Sequence, residues 1–142
     1  MSLISKNIYA RTKDIREACI DIENNLSKWH LEKEYIFPIV LTTDEILTNI
    51  YRHGKVLNEN IEKNIKINII KQNNCIKIII IDNCGPYNIN ITNKMDMRKY
   101  IKTNKNGGFG FIIIYNLMDL VKFQRKFNKN IIIMKKLIQN NR

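Results

Sequence analysis

The amino-acid sequence predicts an α/β two-layer sandwich, built from a mixed, largely antiparallel sheet with helices on one face. Three observations indicate this fold class. Two amphipathic helical patterns come first, two apolar strand patterns follow in direct succession, and a second strand pair closes the chain. Consecutive strands without crossover helices pair antiparallel, and apolar helix stripes then cover one face of the sheet.

The first two elements are predicted to be helices. Apolar or small side chains recur at helical spacing and predict a helix from Thr12 to about Trp29, with Thr12 as its N-cap. A second helix is predicted from about Tyr35 to His53, because its apolar residues form one stripe. Gly54 follows as the stop signal of this second helix.

Four segments have the residue pattern of strands. Isoleucine alternates with polar residues in the first segment, and the second is almost continuously apolar, as expected of a central strand. Polar turn residues at Gln72–Asn74 and Asn128–Lys129 predict two hairpins. The predicted strands are Ile65–Ile69, Cys75–Ile81, Val121–Lys126 and Asn130–Leu137.

A long irregular segment separates the two predicted hairpins. Residues from Asn83 to Gly108 are rich in asparagine, glycine and lysine, with a short helix predicted near Met95–Tyr100. Long loops within compact domains are usually functional or mobile. A buried helix, apolar nearly all round, is predicted from Gly110 to Met118.

The length and composition fit one globular domain over residues 1–142. Hydrophobic residues make up 44% of the 142 residues, which is enough for a sizeable core. We expect a cytoplasmic protein without a membrane span, because the chain has neither a run of about 18 apolar residues nor a signal-peptide core. Three cysteines without a C-x-x-C pair and two histidines argue against structural zinc.

The formal net charge is +11, which raises the question of a nucleic-acid partner. The lysines are spread along the chain among asparagine and isoleucine, and no dense basic block or arginine-rich recognition helix occurs. We therefore interpret the lysines as solvated residues of a biased composition and expect no nucleic-acid binding. Salt-sensitive binding to duplex DNA would be the sign of the alternative.

The first candidate functional segment lies in the second predicted helix. Glu45, Asn49 and His53 are spaced i, i+4 and i+8, so they share one stripe at the edge of the apolar face. A carboxylate and an amide oxygen placed there suit a general base and a magnesium ligand. The alternative is an ordinary amphipathic helix with a polar edge.

The second segment follows the predicted central strand. Asp82 ends this strand and is followed by turn residues. A carboxylate there could accept a hydrogen bond from a purine amino group, and a buried acceptor discriminates strongly against ligands that lack the donor. The alternative is that Asp82 only initiates the turn.

The third segment, residues 104–111, is rich in glycine and leads into the last predicted helix. Glycines before a helix let backbone N–H groups approach an anion such as a triphosphate. The segment is neither a G-x-x-x-x-G-K-[ST] loop nor a Rossmann fingerprint, since the long loop separates it from its strand. The alternative is a flexible loop that happens to contain glycines.

The order of these three segments resembles the Bergerat-fold (GHKL, histidine-kinase-like) ATPases, and most closely the bacterial anti-sigma-factor serine/threonine-protein kinases. The family's E-A-[VL]-x-N-A-x-x-H-G is matched by EILTNIYRHG at Glu45–Gly54. Its D-x-G-x-P-F-[DN] is matched by DNCGPYN at Asp82–Asn88. Its G-G-[LF]-G-[LF]-x-[IL]-[IV]-x-x-L-M-D is matched by GGFGFIIIYNLMD at Gly107–Asp119. The resemblance covers nearly the whole chain.

The resemblance implies a role for each matching residue. Glu45 would be the general base, Asn49 would ligate Mg²⁺ through its amide oxygen, and Asp82 would accept a hydrogen bond from the adenine amino group. His53 would order the end of the helix. The other implied nucleotide contacts are Gly85, the lid residues Thr103 and Lys105, and the phosphate-loop residues Gly107, Gly108, Phe109 and Gly110.

The function that the resemblance implies is an ATP- and Mg²⁺-dependent serine/threonine-protein kinase that acts as an anti-sigma factor. Its partners would be a sigma factor and an anti-sigma-factor antagonist, whose serine it would phosphorylate; dimerisation is typical of these kinases. Cys84 stands where the family usually has glycine, and a side chain there would crowd the adenine pocket or alter the turn. This departure motivates the alternative of a catalytically weak or inactive nucleotide-binding module that sequesters a protein. A sensor histidine kinase is a third option, although neither histidine lies in an obvious acceptor helix.

Overall fold

The computed structural model describes residues 2–86, 114 and 116–139. Two helices and five strands are defined within these residues, and they form a helical layer and a sheet layer. In chain order the elements are β1 (Leu3–Tyr9), α1 (Thr12–Lys28), α2 (Lys33–His53), β2 (Asn64–Lys71), β3 (Cys75–Asp82), β4 (Leu120–Lys126) and β5 (Lys129–Leu137).

The described strands form one sheet in the order β1-β2-β3-β5-β4. Each pairing among them is antiparallel, and β3 lies at the centre between β2 and β5. The register places Asp82 at the end of β3 directly opposite Asn130 near the start of β5. The predicted sandwich, with its largely antiparallel sheet, is therefore confirmed.

The hydrophobic core lies between the helices and one face of this sheet. Alternate isoleucines of β2 and β3, such as Ile67 and Ile78, are fully buried, and so is Met134 of β5. From the helical layer, Leu26 of α1 and Leu47 of α2 pack into the same cluster. Each fully buried aliphatic side chain contributes about 1.5–3 kcal/mol relative to an exposed one. This packing holds both helices against the sheet.

Strand β1 was not predicted from the sequence. It pairs along its length with β2, from Leu3 opposite Ile70 to Tyr9 opposite Asn64. A weak signal was present, because Ile4 is buried and Ile8 is partly buried on the core side. Lys6 interrupts that apolar alternation, and the tertiary pairing with β2 supplies the hydrogen bonds that make the segment a strand.

Two local details differ from the predictions, and a third agrees. The N-cap of α1 is Arg11, without a side-chain cap hydrogen bond, and Thr12 is the first helical residue. The last hairpin turns at Phe127 and Asn128, one residue earlier than predicted, with φ of 54° and 58° at these residues. Positive φ at both central residues is the backbone of a two-residue turn whose twist matches that of the flanking strands. Gly54 is the C-cap of α2, as predicted.

The predicted helix at Gly110–Met118 is described only near its end. Ile114, Asn116 and Leu117 are helical, and Ile114 and Met118 are buried in the core. The predicted short helix at Met95–Tyr100 lies outside the described residues. Within the described part of the chain, no helix is both long and apolar enough to cross a membrane.

Candidate functional site

Helix α2 presents two different faces. Its core face carries Leu47 and Ile50, which are buried on the sheet. Glu45 and Asn49 are half-buried and lie on a separate stripe, since residues four apart are neighbours on a helix surface. His53, the last helical residue, continues this stripe and is exposed. The carboxylate and the amide are therefore on a side of α2 that the described sheet does not cover.

The C-terminal end of α2 is joined to the turn that follows β3. Val56 forms a bridge with Cys84, and the Gly85 N–H donates to the Lys55 carbonyl at 2.8 Å. A Cβ atom on Gly54 would lie 2.7 Å from Cys84 Sγ and 2.6 Å from the Ile50 carbonyl oxygen, so only glycine fits at this close approach. The structure thus brings the first and second candidate segments together.

Asp82 is positioned by hydrogen bonds within its own turn and to the neighbouring strand. Its side chain is 1% exposed. Oδ1 accepts from the Cys84 N–H at 2.9 Å, which forms the turn, and from Asn130 Nδ2 at 2.9 Å. These two hydrogen bonds fix the orientation of the carboxylate. Asp82 is therefore an oriented, buried acceptor as well as the turn-initiating residue.

Asn130 and Arg125 complete this turn, and neither was predicted from the sequence. Asn130 Nδ2 also approaches the carbonyl oxygens of Gly85 at 2.9 Å and Cys84 at 3.3 Å. Arg125 Nη1 donates to Asn130 Oδ1 at 2.9 Å and to the Cys84 carbonyl oxygen at 3.0 Å. The available signal was a polar residue, Asn130, at the start of an otherwise apolar strand. The register that sets Asn130 opposite Asp82 is what shows its role in the turn.

Cys84 packs inward, against the end of α2. Its side chain is fully buried. Burial, followed by the nearby Asp82 carboxylate, raises the pKa of the thiol to about 11, while Lys63 and Arg125 oppose this shift. The thiol is therefore neutral near pH 7, and it acts as a small apolar side chain that fills the space beside Gly54.

The predicted phosphate contacts fall outside the described residues. These are Thr103, Lys105, Gly107, Gly108, Phe109 and Gly110. Gly85 is described, is half-buried and belongs to the turn after Asp82. Of the sites named from the sequence, the structure places Glu45, Asn49, Asp82 and Gly85.

A groove among the described residues lies at a different place. It lies between α1 and α2, has a volume of about 870 Å³, and is lined by side chains such as Ile20, Phe37 and Val40. Glu45, Asn49 and Asp82 do not line it. Because the residues of the matching motifs lie outside this groove, its size does not make it the nucleotide site.

The donor chemistry of the α2 stripe suits Mg²⁺ brought by a nucleotide. No group of three or more His, Cys, Asp or Glu side chains able to hold a metal occurs among the described residues. Mg²⁺ bound with a nucleotide needs only one or two protein oxygen ligands, with phosphates and waters supplying the rest. Asn49 offers such an oxygen, and Glu45 lies one helical turn away.

Comparisons with known proteins agree with this architecture. A family model described as the histidine kinase-like ATPase domain matches residues 8–136. The fold is similar to the crystal structure of the RsbU and RsbW domains of Rv1364c from Mycobacterium tuberculosis, with a TM-score of 0.65 and 11% sequence identity. The match covers 96% of this chain and 32% of that one, and at this identity it shows the fold alone. No curated protein matches the chain in sequence. Because the family model spans most of its length, the chain belongs to the histidine kinase-like ATPase family.

Proposed function

We propose that this chain binds ATP with Mg²⁺ and transfers phosphate to a serine or threonine of a protein, acting as an anti-sigma-factor kinase. The observation that carries the proposal is the joining of α2 to the Asp82 turn through Gly54 and Cys84. A buried acceptor thus lies beside the C-terminal end of α2, and Glu45 and Asn49 lie on the stripe of α2 that the described sheet does not cover. Membership of the ATPase family and the three matching motifs support it further.

Asp82 would select the base. Its oriented carboxylate would accept a hydrogen bond from the adenine amino group, whereas guanine presents a carbonyl oxygen at the same ring position. Two acceptors facing each other would leave a buried oxygen without a donor, which costs about 1–3 kcal/mol. We therefore expect a preference for ATP over GTP of roughly tenfold or more, by the usual conversion of free energy to affinity.

Glu45 and Asn49 would serve the phosphate end. Gly54 lies nine residues after Glu45 and five after Asn49, so the two side chains stand about 14 Å and about 8 Å along the helix from the Asp82 turn. Bound Mg²⁺ would neutralise charge on the phosphates. Asn49 would hold that ion through its amide oxygen. Glu45 would take the proton of the attacking serine or threonine hydroxyl. At the same time the hydroxyl oxygen would bond to the terminal phosphorus of ATP, and ADP would leave.

The test separates nucleotide binding from phosphate transfer. Calorimetry with ATP and Mg²⁺ should detect binding by the native chain, and Asp82→Asn should lose the preference over GTP. Glu45→Gln should keep ATP binding and lose transfer to an antagonist protein, with acid-stable phosphate on serine as the product of the native chain. If ATP does not bind at millimolar concentration, or if Glu45→Gln transfers phosphate at the native rate, the proposal fails.

A specific observation favours a second candidate, a nucleotide-binding or partner-sequestering module with little catalysis. Oδ1 of Asp82 already serves two internal donors, Cys84 N–H and Asn130 Nδ2. The Cys84 side chain fills a position where the resembling kinases have glycine. Calorimetry of the Cys84→Gly variant distinguishes the kinase from the module. If the native chain binds ATP weakly and the variant binds it no more tightly, the result supports the module.

A further inference from the structure

The face of the sheet that points away from the helices combines an apolar centre with a basic rim. Antiparallel partners share a face, so the register determines which residues lie there. Ile79 pairs with Ile133 and Ile81 pairs with Ile131, all four half-buried, and they form a contiguous square on the two central strands β3 and β5. A sheet face that meets only water usually carries polar residues.

Lysines surround this isoleucine square on all four sides. Two lie on the neighbouring strands β2 and β4, and two cross-strand pairs lie beyond its ends. None of the six forms an ion pair within the described part of the chain. They are Lys66, Lys122, Lys77, Lys135, Lys126 and Lys129.

Acidic residues are segregated to the other layer. Four of the 13 acidic residues of the chain lie in α1 and three in α2. In the strands that the structure describes, Asp82 is the one acidic residue, and it is buried on the core side. A composition biased toward lysine would place lysines in both layers, but it would not exclude acidic residues from the sheet. The outer face of the sheet is therefore a basic surface with an apolar centre, whereas the helices carry seven acidic residues beside five lysines and arginines.

We propose that this outer sheet face docks an amphipathic, acidic helix of a protein partner. Strands lie about 4.8 Å apart, so β2 with Lys66 and β4 with Lys122 stand about 14 Å apart across the face, and the two lysines are staggered by two residues along the strands. A helix is about 10–12 Å wide with its side chains. Its apolar stripe would cover the isoleucine square, while carboxylates on both flanks would reach the two lysines. Between the end pairs, the β5 segment Lys129–Lys135 is about 20 Å long, which corresponds to about 13 helical residues.

Other occupants fit this face less well. A second copy would bring six lysines against six, and like charges repel. Single-stranded nucleic acid is bound by stacking on aromatic rings, and the square is aliphatic. Membrane-surface binding uses bulky side chains that reach below the headgroups, whereas these isoleucines are half-buried between longer lysines.

The experiment uses the full chain and a displayed library of random helical peptides of about 16 residues. Selection on the native chain should enrich peptides with an apolar stripe at i, i+3, i+4 and i+7 spacing and glutamate or aspartate on both flanks. The double variant Lys66→Glu/Lys122→Glu should weaken their binding about tenfold or more. Lys13→Glu/Lys28→Glu on α1 makes the same change in net charge and should leave binding within about twofold. Ile133→Asn should weaken binding without lowering the melting temperature by more than a few degrees.

Several results would overturn the proposal. These are enrichment of basic or unpatterned peptides, no enrichment at all, or equal weakening by the two double variants. Stronger binding to phosphatidylserine vesicles or duplex DNA than to the selected peptides would assign the face to those partners. A dimer in light scattering that Ile133→Asn dissociates would assign it to a second copy. Because neither Glu45 nor Asp82 is altered, these outcomes are independent of nucleotide binding.

Discussion

Asn130 on β5 donates from Nδ2 to Oδ1 of Asp82 on β3 at a distance of 2.9 Å, although 48 positions separate the two residues along the chain. The same amide group reaches the Gly85 carbonyl at 2.9 Å, and its Oδ1 accepts from Arg125. The turn after β3 is thus held by the opposite strand. The position of the Asp82 carboxylate depends on that strand as much as on its own.

We expect Asn130→Ala to destabilise the chain by about 2 kcal/mol, because it removes donors from a buried carboxylate and a carbonyl without replacing them. Urea denaturation measures the change. Asn68→Ala is the matched control, since its amide oxygen accepts from Ser5 on the exposed outer face and its loss should change stability by less than about 0.5 kcal/mol. Equal losses in the two variants would contradict the role assigned to Asn130.

Gly54→Ala should destabilise the chain by about 1–3 kcal/mol through overpacking. The added Cβ would lie 2.6 Å from the Ile50 carbonyl oxygen and 2.7 Å from Cys84 Sγ. The φ of Gly54 is −67°, so the cost is steric and does not come from backbone strain. Thermal unfolding should show this loss of stability. ATP binding should also weaken if the contact between Gly54 and Cys84 positions Asp82.

Two further variants test the origin of the Gly54 effect. Gly85→Ala, in the same turn, should be nearly neutral, because its Cβ would meet no atom closer than 3.5 Å. Cys84→Gly combined with Gly54→Ala should recover part of the loss, since it removes the sulfur contact and leaves the carbonyl contact. If the double variant recovers no stability, the whole loss comes from the contact with the Ile50 carbonyl oxygen.

Thr43→Val should stabilise the chain by about 1 kcal/mol. The Thr43 side chain is fully buried in α2, and its hydroxyl has no hydrogen-bond partner among the described residues. Removing an unsatisfied buried hydroxyl while keeping the branched shape relieves a desolvation cost. Thr48→Val is the control, because Thr48 is half-buried on the same helix. The prediction is wrong if denaturation midpoints move equally in both variants.

The Cys84 thiol predicts an alkaline loss of stability. Its pKa is raised from 9.0 to about 11 in the folded chain, chiefly by burial. Between these values the folded state retains a proton that the unfolded state has released, so stability is complete below about pH 9 and declines as pH rises toward 11. Cys84→Ala should make this decline shallower in urea titrations and leave the slope between pH 7 and 8 unchanged, while Cys19, whose pKa burial raises to about 12, keeps part of the decline. Parallel curves for the two proteins above pH 9 would contradict the assignment.

Local patterns determined much of the fold. Apolar residues at helical spacing marked α1 and α2, and Gly54 marked the end of α2, because amphipathicity and stop signals act over a few residues. The same locality explains why strands β2 to β5 were predicted to within a few residues. The family motif at Glu45–Gly54 and Asp82 were visible for the same reason, and the catalytic roles of Glu45 and Asn49 stay predictions.

The tertiary structure decided what depends on pairing between distant segments. Strand β1 exists because β2 supplies its hydrogen bonds, and its own alternation is broken by Lys6. The link from Asn130 to Asp82 exists because the register of β3 and β5 sets them opposite each other. The lysine rim around Ile79 and its neighbours likewise comes from that register, since a shift by one residue would turn each side chain to the other face. The sequence carries the chemistry of each residue, but strand pairing decides which residues share a surface.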